Sequence, residues 1–351
     1  MNTKLPLLAL LLALPACSSD DAGASSAADA EYQNQVVTGM HQALLADVNA
    51  LHDAAVALQA AAPAPSGRGW DATEDKAALA SMTDAWLTAR GAYERTEGAL
   101  APLFPDIDAK IDARYEDFLE GVPGGDQDLF DDQGVTGMHA IERIIFAPEI
   151  PASVVKVESS LEGYKAAAWP ATEEEASEFK NELAARLISD TKTLLDQWQP
   201  QQIDLGESFQ GLVSLMNEQR EKVNKAASEE EESRYSQRTL EDLRQNLDGT
   251  TKIYALFQDW LRTKPTGAVI DAEIEKSFDA LRTTYSDFSG AAIPQPPATW
   301  SSERPSAADL DTDFGKLYTA VQSAVDPNVS GSAVDGMNRA AVVLGFPEFV
   351  Q

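Results

Sequence analysis

Apolar residues recur along this chain at intervals of three and four, and no run shows sustained alternation with a period of two. That spacing predicts helix after helix. Ala, Leu, Glu and Gln dominate, and all four are good helix formers. Helices are expected near 32–61, 73–101, 109–121, 136–147, 152–168, 173–198, 207–229, 233–263, 268–289, 306–326 and 331–345. Breakers fall between them: Pro63, Pro65, Gly67 and Gly69; Pro123, Gly124 and Gly125; Pro294, Pro296 and Pro297. Thr172 with Glu175, and Ser228 with Glu231, have the spacing of capping boxes. The expected fold class is all-α, with two helical bundles: a first over 32–150 and a second over 151–351. The acidic stretch from Gly121 to Gly134 reads as a lid or tether before the helix at 136–147.

That helix carries an anomaly. Wound at 3.6 residues per turn from Met138, Ile141, Ile145, Val135 and Phe146 fall within roughly 80°, and Glu142 sits at about 40°, inside the apolar arc. His139, three residues before Glu142, lies at its edge, so the two side chains are neighbours on one face. A carboxylate in a buried stripe is costly unless paired or coordinated. A position in the helix's first turn favours a neutral imidazole, the form that binds metal.

The helix around Trp86 shows the same anomaly. Leu79, Met82, Trp86, Ala89, Tyr93 and Leu100 form one stripe. Arg90 and Glu97 fall within it at about 40° and 20° from Trp86, with Glu94 on the flank at about 80°. The next segment adds Asp106, Asp108, Asp112 and Glu116. Carboxylates on facing helices, with a Glu/His pair three residues apart, are how bundles build internal metal sites. The plain structural alternative is a buried ion pair of Arg90 with Glu97 or Glu142, with His139 as a hydrogen-bonded core residue. One Arg does not easily neutralise Glu94, Glu97, Asp112 and Glu142 together. His41 and His52 read as surface or packing residues.

The chain ends and the charge narrow the setting. Lys4 and the apolar run Leu5 to Leu14 have the form of a secretory signal, residues 1–16. Leu14-Pro15-Ala16-Cys17 resembles a lipobox, which makes Cys17 the residue to be acylated, and 17–31 reads as a flexible tether. Cys17 is the one cysteine, so a metal would be held by His, Asp, Glu or carbonyl oxygen. A formal charge of −30 argues against nucleic acid and suits cations. The acidic runs Glu173 to Glu175 and Glu229 to Glu232 read as solvated helix starts. An internal echo, Val334-Asp-Gly-Met-Asn338, repeats the Gly-Met of the His139 segment with Asn338 for His139 and Ala341 for Glu142.

Three ordered segments carry a family resemblance: Arg90 to Glu97; Asp106 to Arg114 with Asp112; and Gly137-Met-His139-Ala-Ile-Glu142. Together they resemble the imelysin-like family, most closely its EfeO/EfeM iron-uptake lipoproteins, marked by Gly-x-His-x-x-Glu. Asp242 to Gly249 is similar to a later helix of that family. The resemblance implies a periplasmic all-α protein with a metal site in its first bundle. It points to His139, Glu142, Glu94, Glu97 and Asp112 as ligands, supported by Arg90 and Arg114. It matches the short form without a cupredoxin domain. It implies iron, Fe³⁺ or Fe²⁺, as the bound ion, with zinc or another divalent metal as alternatives. The implied partners are the membrane, through the lipid anchor, and the iron permease and periplasmic peroxidase of an Efe-type system. The expected place is the periplasmic side of the envelope, with the outer membrane preferred because Ser18 follows Cys17.

Three functions follow: iron capture for uptake, an imelysin-type metallopeptidase, or a metal-dependent polysaccharide-binding module. A zincin needs His-Glu-x-x-His and its inverted form His-x-x-Glu-His. Arg143 follows Glu142 here, so the second imidazole is missing and binding is the preferred reading.

Overall fold

The computed structural model describes residues 20–121, 125, 128–199 and 202–347. Cys17, the leader before it and residues 17–19 of the expected tether lie outside these residues, as does part of the acidic stretch near 122–127. The described residues form α1 (Asp20–Ala61), α2 (Lys76–Glu94), α3 (Glu97–Leu100), α4 (Pro105–Asp112), α5 (Tyr115–Gly121), α6 (Gly137–Ile145), α7 (Ala152–Glu158), α8 (Glu173–Glu178), α9 (Ala184–Trp198), α10 (Leu205–Lys225), α11 (Thr239–Arg262), α12 (Gly267–Ser286), α13 (Ala307–Leu310), α14 (Asp313–Val325) and α15 (Ala333–Leu344). No strand occurs among them. No helix among them is long and apolar enough to cross a membrane.

The helices gather into two groups that share α11. In the first, α1 packs on α2, α9 and α11, while α4 and α6 pack on each other and on α9. In the second, α10, α11, α12, α14 and α15 pack together, and α3 lies on α10 and α11. The helix α9 lies beyond residue 150 yet packs in the first group. Its Leu187, Leu194 and Trp198 are buried, and that apolar face needs α1 to cover it. α1 buries Val36, Met40, Leu44, Val48, Leu51, Ala55 and Leu58, spaced three or four apart. Each large side chain of this kind stabilises the fold by about 1.5–3 kcal/mol. Trp86 of α2 is fully buried, and its Nε1 donates to the Met138 carbonyl of α6 at 3.0 Å.

Several expected helices are shorter or broken, and the breaks position the site. The stretch expected as tether is helical from Asp20, as its alanines favour. Asp29 there accepts from Trp260 and Lys264 at 3.0 and 2.6 Å. The helix expected at 73–101 breaks between α2 and α3, where the Thr96 hydroxyl donates to the Tyr93 carbonyl at 2.8 Å. Gly249 of α11 packs into that break; a Cβ there would lie 2.2 Å from the Arg95 carbonyl oxygen. The helix expected at 109–121 starts earlier, at Pro105, which suits a first helical position. It ends at Asp112, where Ala113 turns extended.

The largest departure lies between α10 and α11. A helix expected from 233 begins at Thr239, and the preceding segment runs irregularly, with Glu229 and Gln237 left-handed at φ 62° and 56°. Ser228 caps nothing there; its hydroxyl donates back to the Lys225 carbonyl. Thr172 and Glu175 do form a reciprocal capping box at the start of α8. The C-terminal echo also sits differently. Gly137 opens α6 with φ +88°, whereas Gly336 lies inside α15 after the cap Ser332, without a positive φ.

Candidate metal centre

The centre forms where α4 ends and α6 begins. Gly137 makes this possible: a Cβ there would lie 2.7 Å from the carbonyl oxygens of both Lys110 and Ile111, so only a glycine lets α6 abut the last turn of α4. Asp112, the final residue of α4, thereby meets His139 in the first turn of α6, with His139 Nε2 3.4 Å from Asp112 Oδ1. His139 is buried, and Asp112 is the carboxylate its Nε2 faces. Its Nδ1 pairs with Glu142 Oε2 at 2.9 Å. The other Glu142 oxygen accepts from the Ser236 amide at 2.9 Å and its hydroxyl at 2.7 Å. Both Glu142 oxygens are therefore engaged, and they set the ring's orientation. A carboxylate on one imidazole nitrogen is the usual way to orient the other toward a metal.

The irregular segment before α11 delivers a group the sequence reading missed. Glu232, expected to be solvated, is buried, and so is Glu231. Asp112, His139 and Glu232 each offer an atom within 4.8 Å of the others, and so do Glu94, Glu97 and Glu232. Glu232 thus belongs to two overlapping groups. Its segment is pinned to α5 and α7 by Arg234, which binds Glu116 in two places and Glu158 at 3.2 Å. Tyr235 also donates to Glu158. Arg143 completes this clamp, donating to Glu158 at 3.0 Å with its guanidinium 3.9 Å from the centre of the Tyr115 ring.

Two internal cations balance the acids. Arg90 pairs with Glu94 and Asp112, reaches Glu232 at 2.8 Å, and lies 3.8 Å from Asp242. Lys222 of α10 lies 2.6 Å from Glu232, 3.3 Å from Glu97 and 3.9 Å from Glu94. Asn246 of α11 donates to Glu94 Oε2 at 2.5 Å and Glu97 Oε2 at 3.0 Å. The sequence reading, in which Arg90 alone was too little to neutralise the cluster, overlooked Lys222 as a second cation. It could have been found: Lys222 lies seven residues after buried Leu215, about 20° from it on the helix.

Burial and charge divide the titrating groups. Burial pushes Asp112 up, but Arg90 and then His139 outweigh it and hold it well below the usual carboxylate range. Burial pushes Glu232 up, and Lys222 and Arg90 bring it down to about 2. Burial dominates at Glu94, raised well above its ordinary value, and at Glu97, raised to about 8. Burial lowers His139, but the Asp112 charge prevails and lifts it to about 9. His139 is therefore protonated at neutral pH in the metal-free protein. The positive helix terminus, expected to keep it neutral, is overridden by a carboxylate in contact.

The structure thus gathers Glu94, Glu97, Asp112, His139, Glu142 and Arg90 in one place. Arg114 lies at the rim, donating to the Glu230 carbonyl at 3.2 Å, and so steadies the segment carrying Glu232. Asp108 sits one turn before Asp112 and accepts from Tyr93 at 2.6 Å. His41 packs against Trp198, and His52 bonds Thr191, so neither joins the centre.

An all-α fold in two helical groups, with a buried acidic centre holding one histidine, defines the class: helical bundles with an internal polar site. The chain belongs to the imelysin family, whose model matches residues 37–322. It is 27% identical over 225 residues to an Efem/EfeO family lipoprotein of Staphylococcus haemolyticus, covering 64% of each chain. It is 25% identical over 203 residues to the iron uptake system component EfeM of Pseudomonas syringae pv. syringae, covering 58% of this chain and 57% of that one. The matches thus span less than two thirds of these relatives. An imelysin-like protein from Psychrobacter arcticum has the same fold, with a TM-score of 0.53 at 10% identity, over 93% of this chain and 98% of the other.

Proposed function

We propose that this chain captures iron at a centre built from Asp112, His139 and Glu232 and supplies it to an uptake system of the cell envelope. One observation carries the reading: a buried imidazole, His139, faces Asp112 at 3.4 Å and offers a ligand atom within 4.8 Å of those of Asp112 and Glu232, two carboxylates held in their charged forms. Oxygen donors with one imidazole suit iron, zinc and manganese. Iron is preferred because one similar protein is named as an iron uptake system component. Glu142 orients His139 rather than facing the ion. Glu94 and Glu97 line the adjoining group, and Arg90 is the counter-charge that the arriving cation displaces.

In this reading Cys17 carries the lipid that holds the protein at the membrane, on the periplasmic side, and the iron passes to a permease, with a periplasmic peroxidase as a further partner. Similarity to proteins named as lipoproteins supports the anchor. The metallopeptidase reading has less support, because the centre holds a single imidazole and His41 and His52 are engaged elsewhere.

The test is metal content. The chain lacking residues 1–17 should bind about one iron at this centre, and His139→Ala should weaken binding by more than the ~10–100-fold typical of an outer-shell change. Glu142→Ala should cost about that 10–100-fold. Wild-type affinity in both variants would refute the assignment.

A further inference from the structure

Two carboxylate groups share Glu232, and each is touched by a cation. In the Asp112–His139–Glu232 group, Arg90 pairs with Asp112 and reaches Glu232 at 2.8 Å, and one donor is an imidazole, whose buried Nε2 lies 3.4 Å from Asp112 Oδ1. The Glu94–Glu97–Glu232 group is filled. Lys222 Nζ lies 2.6, 3.3 and 3.9 Å from Glu232, Glu97 and Glu94. An ammonium at these distances stands where a cation would stand.

The amide beside it is locked in the sense that keeps metal away. Tyr285 donates to Gln219 Oε1 at 2.7 Å, and Gln219 Nε2 donates to Asn246 Oδ1 at 3.2 Å. Lys222 Nζ donates to the same Asn246 oxygen at 3.1 Å. With its oxygen taken, Asn246 must present its amide hydrogens to Glu94 and Glu97. A cation seated there would face N–H groups instead of lone pairs. Tyr285, Gln219, Asn246 and Lys222 are all buried, so the chain of donors has no solvent to rearrange into.

We propose that Lys222 is a built-in cation that closes the Glu94–Glu97–Glu232 group, so that the protein takes one metal ion, at Asp112–His139–Glu232, rather than a pair bridged by Glu232. This rests on the reading of the centre as a metal site. Lys222 is the residue that sets stoichiometry, and a carboxylate-bridged pair is the arrangement it prevents. Such pairs do form in helical bundles.

Co²⁺ serves as the probe, counted per chain after gel filtration. Wild type should retain about one ion and Lys222→Met about two, as a carboxylate-rich bundle site allows. Lys222→Met combined with His139→Ala should keep about one, now on Glu94, Glu97 and Glu232. Lys222→Arg, which keeps a cation in place, should behave as wild type. A single ion in Lys222→Met would overturn the proposal. No ion in wild type would instead overturn the metal-site reading beneath it. Should Lys222→Met not fold, anomalous diffraction from Co²⁺-loaded wild type decides. Metal at Asp112–His139–Glu232 with Lys222 still on Glu232 supports the proposal, and metal on Glu94 and Glu97 overturns it.

Discussion

Gly137→Ala strikes the abutment that brings Asp112 to His139. Two costs follow from the geometry. An L residue held at φ +88° pays about 1–2 kcal/mol for the left-handed backbone. The new Cβ would also lie 2.7 Å from two carbonyl oxygens of α4. Backbone cannot rotate away as a side chain does, so α4 and α6 must part, at about 1–3 kcal/mol. The sum is a destabilisation of ~2–5 kcal/mol. Metal affinity falls too, because the parting moves Asp112 from His139; a site held off its geometry loses ~10–100-fold. Gly345→Ala is the control. Its φ is +83°, but a Cβ there meets nothing within 4 Å, so it should cost only the backbone share of ~1–2 kcal/mol and leave affinity intact. Urea unfolding and iron titration of both variants supply the comparison. A Gly137→Ala protein with wild-type affinity would refute the argument that this glycine assembles the centre.

Three further outcomes are expected. Iron must displace the His139 proton, held to about pH 9 in the metal-free protein, so affinity should rise from pH 6 toward 9, at most about tenfold per pH unit from this one proton; a flat profile over that range would contradict it. In the metal-free chain, the raised His139 value stabilises fully below its unfolded value and the gain disappears as pH rises through about 9. Glu232→Gln should weaken iron binding at least ~10-fold, although the residue stands in an acidic run that reads as surface, and equal affinity by calorimetry would remove Glu232 from the centre. Arg234→Ala leaves the buried Glu158 without one of its cations and should destabilise by about 3–5 kcal/mol in chemical unfolding, less where Arg143 compensates.

The parts of the centre that were legible lie on regular helices. Glu142 announced itself because a helix has a fixed period, so a carboxylate inside an apolar arc is visible without tertiary knowledge, and Glu94 showed on the flank of the Trp86 stripe. Lys222 would have yielded to the same test, since it follows Leu215 by seven residues. Glu232 would not. Four consecutive glutamates have no period, and their burial comes from Arg234 and Tyr235 reaching Glu116 and Glu158 across more than 70 residues of chain. The same limit hid the helix breaks at Arg95–Thr96 and Ala113–Arg114. Both stretches have sound helical composition, and they break where another element must approach closely. The helical class itself was plain, because the periodicity that defines it is local.

Glu232 also ties together distant parts of the chain. Asp112 and Glu232 lie 120 positions apart, so an ion held by both closes a long loop that the unfolded chain leaves open. Only the folded form offers all three donors, and cargo at a hundred times its dissociation constant adds about 2.7 kcal/mol to the stability of the whole molecule. On the proposed reading of the centre, a metal-loaded chain is then harder for a protease to open than an empty one.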